Sequence, residues 1–321
     1  MEYVLVTGYS GYIGSHICKE LKRRGYGVVG IDREEPDEWD VYAQYVDHQY
    51  ECEYDDPSVF TILKQHNIRR VIHTAATSLV GPSIKDPEVY YINNVEYMRV
   101  FLALCRDAGV ERIVYSSSAA VYGDGHSVFD ETVITNPINP YGRTKLIGEW
   151  LLEDYCRAYD MSAVALRYFN VCGADPDGEF GQRTKPSHII SVGITRAIRG
   201  ESISINGDSF DTADGTCERD YVHVVDVARA NVAALDAHVP GFAAVNIGSG
   251  VGYSNLQIVE AINRYTKHLL PFNIGPARPG DPARLVCDNS QAKQLLNWQP
   301  EHSDLETIIK TAGAWHERNT V

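Results

Sequence analysis

Short apolar runs alternate with longer stretches of helical periodicity along the first half of the chain. Residues 3–6, 27–31 and 71–73 form three of these runs, and each has the length and apolar content of a buried strand. Strands of this kind, separated by helices, predict a parallel sheet that helices cover on both faces. We therefore expect an α/β fold with a doubly wound parallel sheet. The same patterns predict strands at 112–116 and 163–168, helices at 14–24, 89–108 and 141–159, and a helix that ends at 62–66.

The pattern becomes less regular after about residue 170. Loops rich in glycine, proline and aspartate occupy residues 173–186 and 206–216. We therefore expect a larger domain over 1–170 and a smaller mixed α/β domain over 171–321. A helical run at 226–237 and a strand at 245–247 should return to the large sheet, so the segment 220–250 is expected to lie with the first domain.

Composition narrows the class of protein. The chain has 321 residues, 44% of them hydrophobic, which is enough for a large core. A net charge of −14 without a basic stripe argues against a nucleic-acid partner. Seven cysteines without a CxxC pair indicate reduced thiols, and the 11 histidines form no ligand cluster, so we expect no metal site. No apolar run reaches membrane-spanning length and no leader is visible, so we expect a soluble cytoplasmic protein.

A glycine-rich turn joins the first predicted strand to the first predicted helix. It contains Gly8, Gly11 and Gly14, and Asp32 ends the next strand. This context fits a Rossmann-like dinucleotide site, in which glycines admit the pyrophosphate and the helix N-terminus faces the phosphates. An acid at position 32 would bind the adenosine ribose and repel a 2′-phosphate, which favours NAD. Arg33 could accept that phosphate, and Asp32 could instead be a simple turn residue.

A Tyr and a Lys four residues apart carry the candidate chemistry. Tyr141 and Lys145 share one face of the helix predicted at 141–159. An ammonium beside a phenol favours the phenolate, so this tyrosine could act as a base near neutral pH. The serine cluster 116–118 could hold the oxygen whose proton moves. The pair could also be an exposed structural feature at a helix start, but the combination predicts an enzyme that moves a hydride.

These motifs carry a family resemblance. The chain resembles the extended short-chain dehydrogenases/reductases, and most closely the UDP-galactose (UDP-glucose) 4-epimerases. The glycine turn and the Tyr141–Lys145 pair are shared by the whole superfamily, whereas the stretches around 214–224 and 278–281 are much more specific to epimerases. The matching segments are residues 6–16, 71–76, 93–95, 116–123, 167–171, 214–216, 219–224 and 278–281.

The resemblance implies NAD-dependent epimerisation at C4 of a UDP-hexose through a 4-keto intermediate. Tyr141 would take the proton of the sugar 4-hydroxyl, Ser118 would hydrogen-bond that oxygen, and Lys145 would hold the nicotinamide ribose and lower the tyrosine pKa. The implied cofactor residues are Gly8, Gly11, Tyr12, Ile13, Gly14, Asp32, Cys52, Glu53, Thr74, Ala75, Ala76, Asn94, Ser116, Tyr141, Lys145 and Phe169. The implied substrate residues are Ser118, Tyr141, Asn170, Ser187, His188, Ser204, Asn206, Arg219, Arg278, Asp281 and Leu285.

The chain departs from the family pattern at three places. Ser78 stands where family epimerases usually have a lysine, and Cys52 stands where they have an adenine-contacting aspartate. Both changes predict a weaker grip on NAD. Asn206 stands where many relatives have an aromatic residue near the uracil. Alanines at 119 and 120 follow Ser118, which excludes the related 4,6-dehydratases because these need an acid there.

Several alternatives stay open. The substrate could be a UDP-pentose or a UDP-uronate, and a non-catalytic NAD-sensing protein could use the same fold. In relatives, the residue at the position of Leu285 lines the pocket near the sugar 2-substituent. A leucine there predicts some action on N-acetylated sugars. Leu285 could equally pack in the domain interface.

The helices predicted at 89–108 and 141–159 carry wider apolar surfaces than one core-facing stripe requires. One face of each helix should cover the sheet, and the other face needs a partner. The family resemblance implies a homodimer through a four-helix bundle. The alternative is a thick monomer core.

Overall fold

A computed structural model describes residues 1–34, 41, 44–183, 188–277 and 282–319. Within these residues the chain forms one large sheet, one smaller sheet and a two-stranded ribbon. The strands are β1 (Tyr3–Thr7), β2 (Gly27–Asp32), β3 (His48–Glu51), β4 (Arg70–His73), β5 (Arg112–Ser118), β6 (Val128–Phe129), β7 (Ser162–Tyr168), β8 (Asn170–Cys172), β9 (Ile203–Asn206), β10 (Glu218–His223), β11 (Phe242–Ile247), β12 (Gly252–Ser254), β13 (Phe272–Gly275) and β14 (Arg284–Cys287).

Helices alternate with the strands in the first half of the chain and pack against both sheets in the second half. No helix in the described part of the chain combines the length and the apolar character needed to cross a membrane. The α-helices are α1 (Tyr12–Arg23), α2 (Ser58–Gln65), α3 (Val80–Lys85), α4 (Pro87–Tyr91), α5 (Tyr97–Ala108), α6 (Pro140–Ala158), α7 (Ile189–Ile198), α8 (Val224–Asp236), α9 (Asn255–Tyr265), α10 (Ser290–Leu296) and α11 (Leu305–Asn319).

The large sheet has seven strands in the order β11-β7-β5-β4-β1-β2-β3. Every neighbouring pair is parallel. The chain runs outward from β1 to β3 and then returns to the other side of β1 with β4. In such a sheet a crevice opens at the carboxyl ends of the strands where the order reverses, which here is between β1 and β4. The predicted Rossmann-like, doubly wound α/β fold is confirmed.

Both faces of this sheet are buried, which explains the continuous apolar strands. Val4 and Val6 pack on one face in a core that includes Ile17 of α1. Leu5 points to the opposite face and joins a core that includes Leu102 of α5. Because successive side chains of a strand point to opposite faces, a strand with two covered faces has no position for exposed polar residues.

The second half of the chain builds a mixed sheet around β10. This strand pairs antiparallel with β12 and parallel with β14 and β8, while β9 and β13 form a separate parallel ribbon. Strand β11 pairs with β7 in the large sheet, and helix α8 packs against α1, so these elements lie with the first half. The division into domains at 1–170 and 171–321 stays a prediction.

The prediction of one continuous α-helix over 89–108 is wrong for residues 92–96. Helix α4 ends at Tyr91, a π-helical turn spans Ile92–Glu96, and α5 then continues to Ala108. The side chain of Asn94, inside the π turn, accepts from the Thr77 amide at 2.8 Å and donates to the Thr77 carbonyl at 2.9 Å. Wider turns of this kind are frequent at functional sites, and this one fastens the loop that follows β4.

Candidate active site

A cavity of ≈ 580 Å³ opens at the carboxyl ends of the strands, at the reversal between β1 and β4. The glycine turn forms one part of its wall, and the Tyr141–Lys145 pair on α6 forms another. It thus brings together residues that are far apart in sequence. The predicted site residues in its lining are Gly8, Gly11, Tyr12, Ile13, Gly14, Asp32, Cys52, Glu53, Thr74, Ala75, Ala76, Ser116, Tyr141 and Lys145.

The glycine turn is shaped by close backbone contacts. Gly8 has a φ of +71°, and a Cβ atom on Gly14 would lie 2.0 Å from the Gly8 carbonyl oxygen. Neither position can therefore carry a side chain without moving the backbone. Helix α1 begins at Tyr12 with Gly11 as its N-cap, so no capping side chain covers the amides of the first turn. Such a turn suits the pyrophosphate of a dinucleotide.

Hydrogen bonds hold the carboxylate of Asp32 in place at the rim of the cavity. The Ser10 hydroxyl donates to Asp32 Oδ2 at 2.6 Å, and the Arg33 amide donates to Oδ1 at 2.9 Å. The cavity also contains Glu53 and Glu34, and burial together with the nearby acids raises the pKa of Glu53. Arg33 lines the same cavity, with its Nε 3.7 Å from a Glu34 carboxylate oxygen. Three acids against one arginine fit a ribose with free hydroxyls better than one with a 2′-phosphate, so the residues fit NAD.

Tyr141 lies in the first turn of α6. The Asn139 side chain caps this helix by accepting from the Gly142 amide at 2.8 Å. Burial raises the pKa of the Tyr141 phenol, and a hydrogen bond with Ser118 opposes that rise. The Lys145 ammonium lies 6.0 Å from the centre of the phenol ring, and its lowering of the Tyr141 pKa stays a prediction.

Lys145 is one turn further along α6 and is 3% exposed. Its Nζ donates to the Ser116 carbonyl at 2.8 Å and lies 4.9 Å from the centre of the Tyr115 ring. Burial lowers the pKa of Lys145 to about 7, although the Glu149 carboxylate opposes this effect. The lysine therefore changes charge close to neutral pH.

A second cavity of ≈ 260 Å³ lies in the smaller part of the molecule. Isoleucine and valine side chains line it together with amide, hydroxyl and guanidinium groups. Arg219 Nη1 donates to the Glu218 and Pro282 carbonyls, each at 2.8 Å, and these two hydrogen bonds orient the guanidinium group. The predicted substrate residues in its lining are Asn170, His188, Ser204, Asn206 and Arg219.

Some predicted site residues lie outside both linings. Asn94 is buried and supports the loop after β4, as described above. Phe169 packs in a cluster with Leu146, and Leu285 is partly buried against the same cluster. Ser118 reaches the site through its hydrogen bond with Tyr141. Three further predicted residues, Ser187, Arg278 and Asp281, lie outside the described residues.

Sequence reasoning missed several residues of the first cavity. Ser10 lies inside the glycine turn, so its position could have indicated a role. Tyr168 ends β7, and its hydroxyl is 3.0 Å from the Ser116 hydroxyl. Gln182 lies in an irregular loop that carries no local signal, and it accepts a hydrogen bond from Ser191 at 2.5 Å. Tyr54, between β3 and α2, also lines this cavity, as do Ile31, Leu79, Asn93 and Ser117.

Three acids, Asp175, Asp177 and Glu179, lie close enough together to resemble a metal site. The ammonium of Lys19 lies among them, at 3.0, 2.8 and 2.7 Å from their oxygens. The cation that balances this cluster is therefore a side chain of the protein itself.

Comparison with known proteins agrees with this geometry. A model of the NAD dependent epimerase/dehydratase family matches residues 4–248. The UDP-glucose 4-epimerase of Rhizobium meliloti (strain 1021) is 41% identical, over 98% of this chain and 97% of its own length. A UDP-glucose 4-epimerase from Brucella ovis, solved in complex with NAD, has a TM-score of 0.93 and 39% identity and covers 98% of both chains. The UDP-Glc/GlcNAc 4-epimerase from Campylobacter jejuni has a TM-score of 0.87 and 33% identity, covering 99% of this chain and 100% of its own.

The buried lysine makes stability depend on pH. Its pKa is about 7 in the folded protein against an ordinary value of 10.5, so the unfolded chain binds more protons between these values. Stability should therefore rise with pH across that window. We expect Lys145→Met to increase the free energy of unfolding at pH 7 by about 1–3 kcal/mol, and this gain to shrink as the pH approaches 10.

Urea unfolding without added cofactor at several pH values measures this difference. Lys64→Met is the matched control, because Lys64 is an exposed helical lysine, and its effect on stability should not change with pH. A pH-independent effect of Lys145→Met would contradict the assigned titration.

Proposed function

Because the chain belongs to the NAD dependent epimerase/dehydratase family, we propose that it interconverts UDP-glucose and UDP-galactose with a bound NAD. One observation carries this proposal: residues two apart in the chain, at the end of β7, line the two cavities. Tyr168 lines the first cavity, and Asn170, two residues later, lines the second. A dinucleotide in one cavity and a nucleotide sugar in the other would therefore meet near Tyr141.

The first cavity has the features that NAD requires. The glycine turn would hold the pyrophosphate, Asp32 the adenosine ribose, and Lys145 the nicotinamide ribose. Bound NAD supplies a reversible two-electron acceptor for the hydrogen on C4, so that this carbon can pass through a ketone. Neither Ser78 nor Cys52 adds a charged contact here, although both line the cavity.

Tyr141 and Ser118 would handle the proton of the sugar 4-hydroxyl. The phenolate of Tyr141 takes that proton as the C4–H bond breaks, and it returns the proton when the bond re-forms on the other face of the sugar. The Ser118 hydroxyl, already hydrogen-bonded to the phenol, orients the sugar oxygen. Since burial disfavours the phenolate, its formation needs the positive charge of protonated Lys145 close by.

The second cavity would hold the uridine diphosphate. Asn170 and Arg219 offer donors to the phosphates, and a planar guanidinium can bind a pyrophosphate with parallel hydrogen bonds. Ser204 and Asn206 would face the base and its ribose. By resemblance, Ser187, Arg278 and Asp281 complete this site.

Other activities on the same fold have less support. A non-catalytic NAD-sensing protein would not need Ser118, Tyr141 and Lys145 together, and this chain has all three in one site. A UDP-uronate carries a carboxylate at C6 and a UDP-pentose has no C6 at all, and no observation on the described linings favours either sugar over a hexose.

We also propose that the protein is a cytoplasmic homodimer. Seven free cysteines support a reducing compartment. An apolar face on α5 and α6, here called the helical face, supports a second copy as its partner, since its Trp150 is 55% exposed. The residues of the helical face are Tyr97, Val100, Leu104, Ile147, Trp150, Leu151 and Tyr155.

The decisive test of the proposed function removes the base. We expect Tyr141→Phe to lower kcat for UDP-galactose to UDP-glucose conversion by about 10²–10⁴-fold, with a small change in KM, because the phenol moves a proton rather than binding the sugar. Product identity is read by NMR on a panel of UDP-sugars. Tyr155→Phe, on the same helix, is the control and should keep wild-type rates. Near wild-type rates in Tyr141→Phe would refute the mechanism.

Leu285 should set tolerance for a 2-acetamido group. We expect wild-type protein to act on UDP-N-acetylglucosamine and UDP-N-acetylgalactosamine more slowly than on the unsubstituted pair. The aromatic ring that Leu285→Tyr introduces should lower kcat/KM for the acetamido pair alone, by about 10–100-fold. Kinetics on both substrate pairs measure this selectivity. If the two proteins treat the acetamido pair alike, Leu285 only packs against its neighbours.

A charge on the helical face should separate the dimer. We expect Trp150→Glu to sediment as a monomer at micromolar concentration, where the wild type sediments as a dimer, since a buried unpaired carboxylate strongly opposes association. Ile134→Glu is the control, because Ile134 is 84% exposed in a separate loop. A wild-type monomer would exclude the proposed assembly.

A further inference from the structure

Behind the candidate active site lies a buried ion pair that the proposed reaction does not use. Glu149 and Arg167 are only 2% and 6% exposed. Arg167 Nη2 donates to Glu149 Oε2 at 2.6 Å, and its Nε donates to Oε1 at 3.0 Å. Buried ion pairs rarely add net stability, because both charges lose their water. Such a pair therefore points to a role other than stability.

The pair lies directly behind Lys145. Glu149 follows Lys145 by one helical turn, so Tyr141, Lys145 and Glu149 share one face of α6. Ser117 on β5 donates to Glu149 Oε1 at 2.5 Å. The residue before it, Ser116, supplies the carbonyl that accepts from Lys145. Two adjacent residues of β5 thus hold the lysine and the glutamate.

Arg167 keeps the carboxylate away from the lysine. Glu149 Oε1 already accepts from Ser117 and Arg167, and Oε2 accepts from Arg167. The third nitrogen of the guanidinium donates to the Tyr122 hydroxyl at 2.9 Å, and that hydroxyl donates to Asn246 at 2.7 Å. Because both Glu149 oxygens already accept hydrogen bonds from Ser117 and Arg167, Glu149 acts on Lys145 only through its charge. The Lys145 ammonium donates to the Ser116 carbonyl rather than to Glu149.

We propose that the Glu149–Arg167 pair is a positioning element for Lys145, which favours the lysine's charge while keeping its ammonium on the Tyr141 side of the site. Glu149 supplies the negative field that favours the ammonium. Arg167 holds Glu149 so that it does not capture the ammonium. The inference rests on the proposed function, since Tyr141 and Lys145 have these roles only in that reaction.

The groups around Lys145 make Glu149 the decisive neighbour. Burial lowers the pKa of Lys145, and the Glu149 charge raises it. His73 stays neutral, because burial and the nearby lysine lower its pKa to about 3. Among the facing groups in the described part of the chain, Glu149 is the one carboxylate, so its loss removes the anion that favours the ammonium. The titratable groups that face Lys145 from the elements packed around it are Tyr141, Tyr115, His73, Glu149 and Arg167.

The test is the pH dependence of turnover in Glu149→Gln. Glutamine keeps the shape and accepts from Ser117, but it has no charge. With Lys145 more often neutral, the Tyr141 phenolate is less favoured. We expect the limb of the kcat/KM profile that rises with pH to move upward by about one pH unit, with kcat at pH 7 about tenfold lower and KM nearly unchanged.

A second variant separates charge from folding, because Glu149→Gln leaves Arg167 buried without its anion. In Glu149→Gln/Arg167→Met both charges are absent, so thermal stability and NAD content should return toward wild type while the profile stays shifted. Glu153→Gln is the matched control. Glu153 lies one turn beyond Glu149 on α6 and pairs with Arg157 at the surface, at 2.5 Å, so its profile should match the wild type.

The ultraviolet absorption of tyrosinate gives a readout independent of turnover. Subtracting the titration of Tyr141→Phe isolates the Tyr141 phenol in each holoenzyme, and its pKa should be higher in Glu149→Gln. A folded double variant with the wild-type kinetic profile and the wild-type phenol pKa would overturn the inference and leave the pair a purely structural role. If the wild type converts no UDP-sugar, the proposed function fails, and an unshifted phenol pKa would then refute the electrostatic link as well.

Discussion

The reversal of strand order between β1 and β4 is the constraint on which the site depends. The chain leaves β1 into α1, which packs on one face of the sheet, whereas α5, which leads into β5 beside β4, packs on the other. The two connections diverge, so they leave a crevice at the carboxyl ends of the two central strands. The glycine turn after β1 and the loop after β4 therefore face each other across a cavity. Helix α6, docked beside β5, brings Tyr141 and Lys145 to the same opening.

Burial of charge is the second organising feature. Lys145 in the cavity wall, and Glu149 and Arg167 behind it, are almost fully buried, so each charge depends strongly on its neighbours. The lysine has a carbonyl and an aromatic ring as its direct partners, while the arginine takes the carboxylate. Such a lysine can change charge near neutral pH, which an exposed lysine does not. Burying the lysine lowers the stability of the fold, but it gives the site a group whose charge depends on its neighbours.

Sequence patterns predicted the elements of the large sheet well where a single local signal dominated. Strands with both faces buried are continuously apolar, so β1, β2, β4, β5 and β7 were predicted close to their observed bounds. Strand β3, of sequence His-Gln-Tyr-Glu, is a partly exposed edge strand without such a run and was not predicted. The π turn at Ile92–Glu96 was also missed, because its cause is the contact of Asn94 with a distant loop rather than a local preference.

The sequence by itself determined the glycine turn, the acid at the end of β2 and the Tyr141–Lys145 spacing, because each lies within one or two adjacent elements whose geometry follows from local rules. Only the tertiary structure decided how these features combine. In the folded protein Ser10 hydrogen-bonds Asp32, and Glu149 forms an ion pair with Arg167. Gln182 lines the cofactor cavity, and Leu285 packs against a buried cluster. Residues on different elements meet only when packing and strand order bring them together, and that depends on the whole chain.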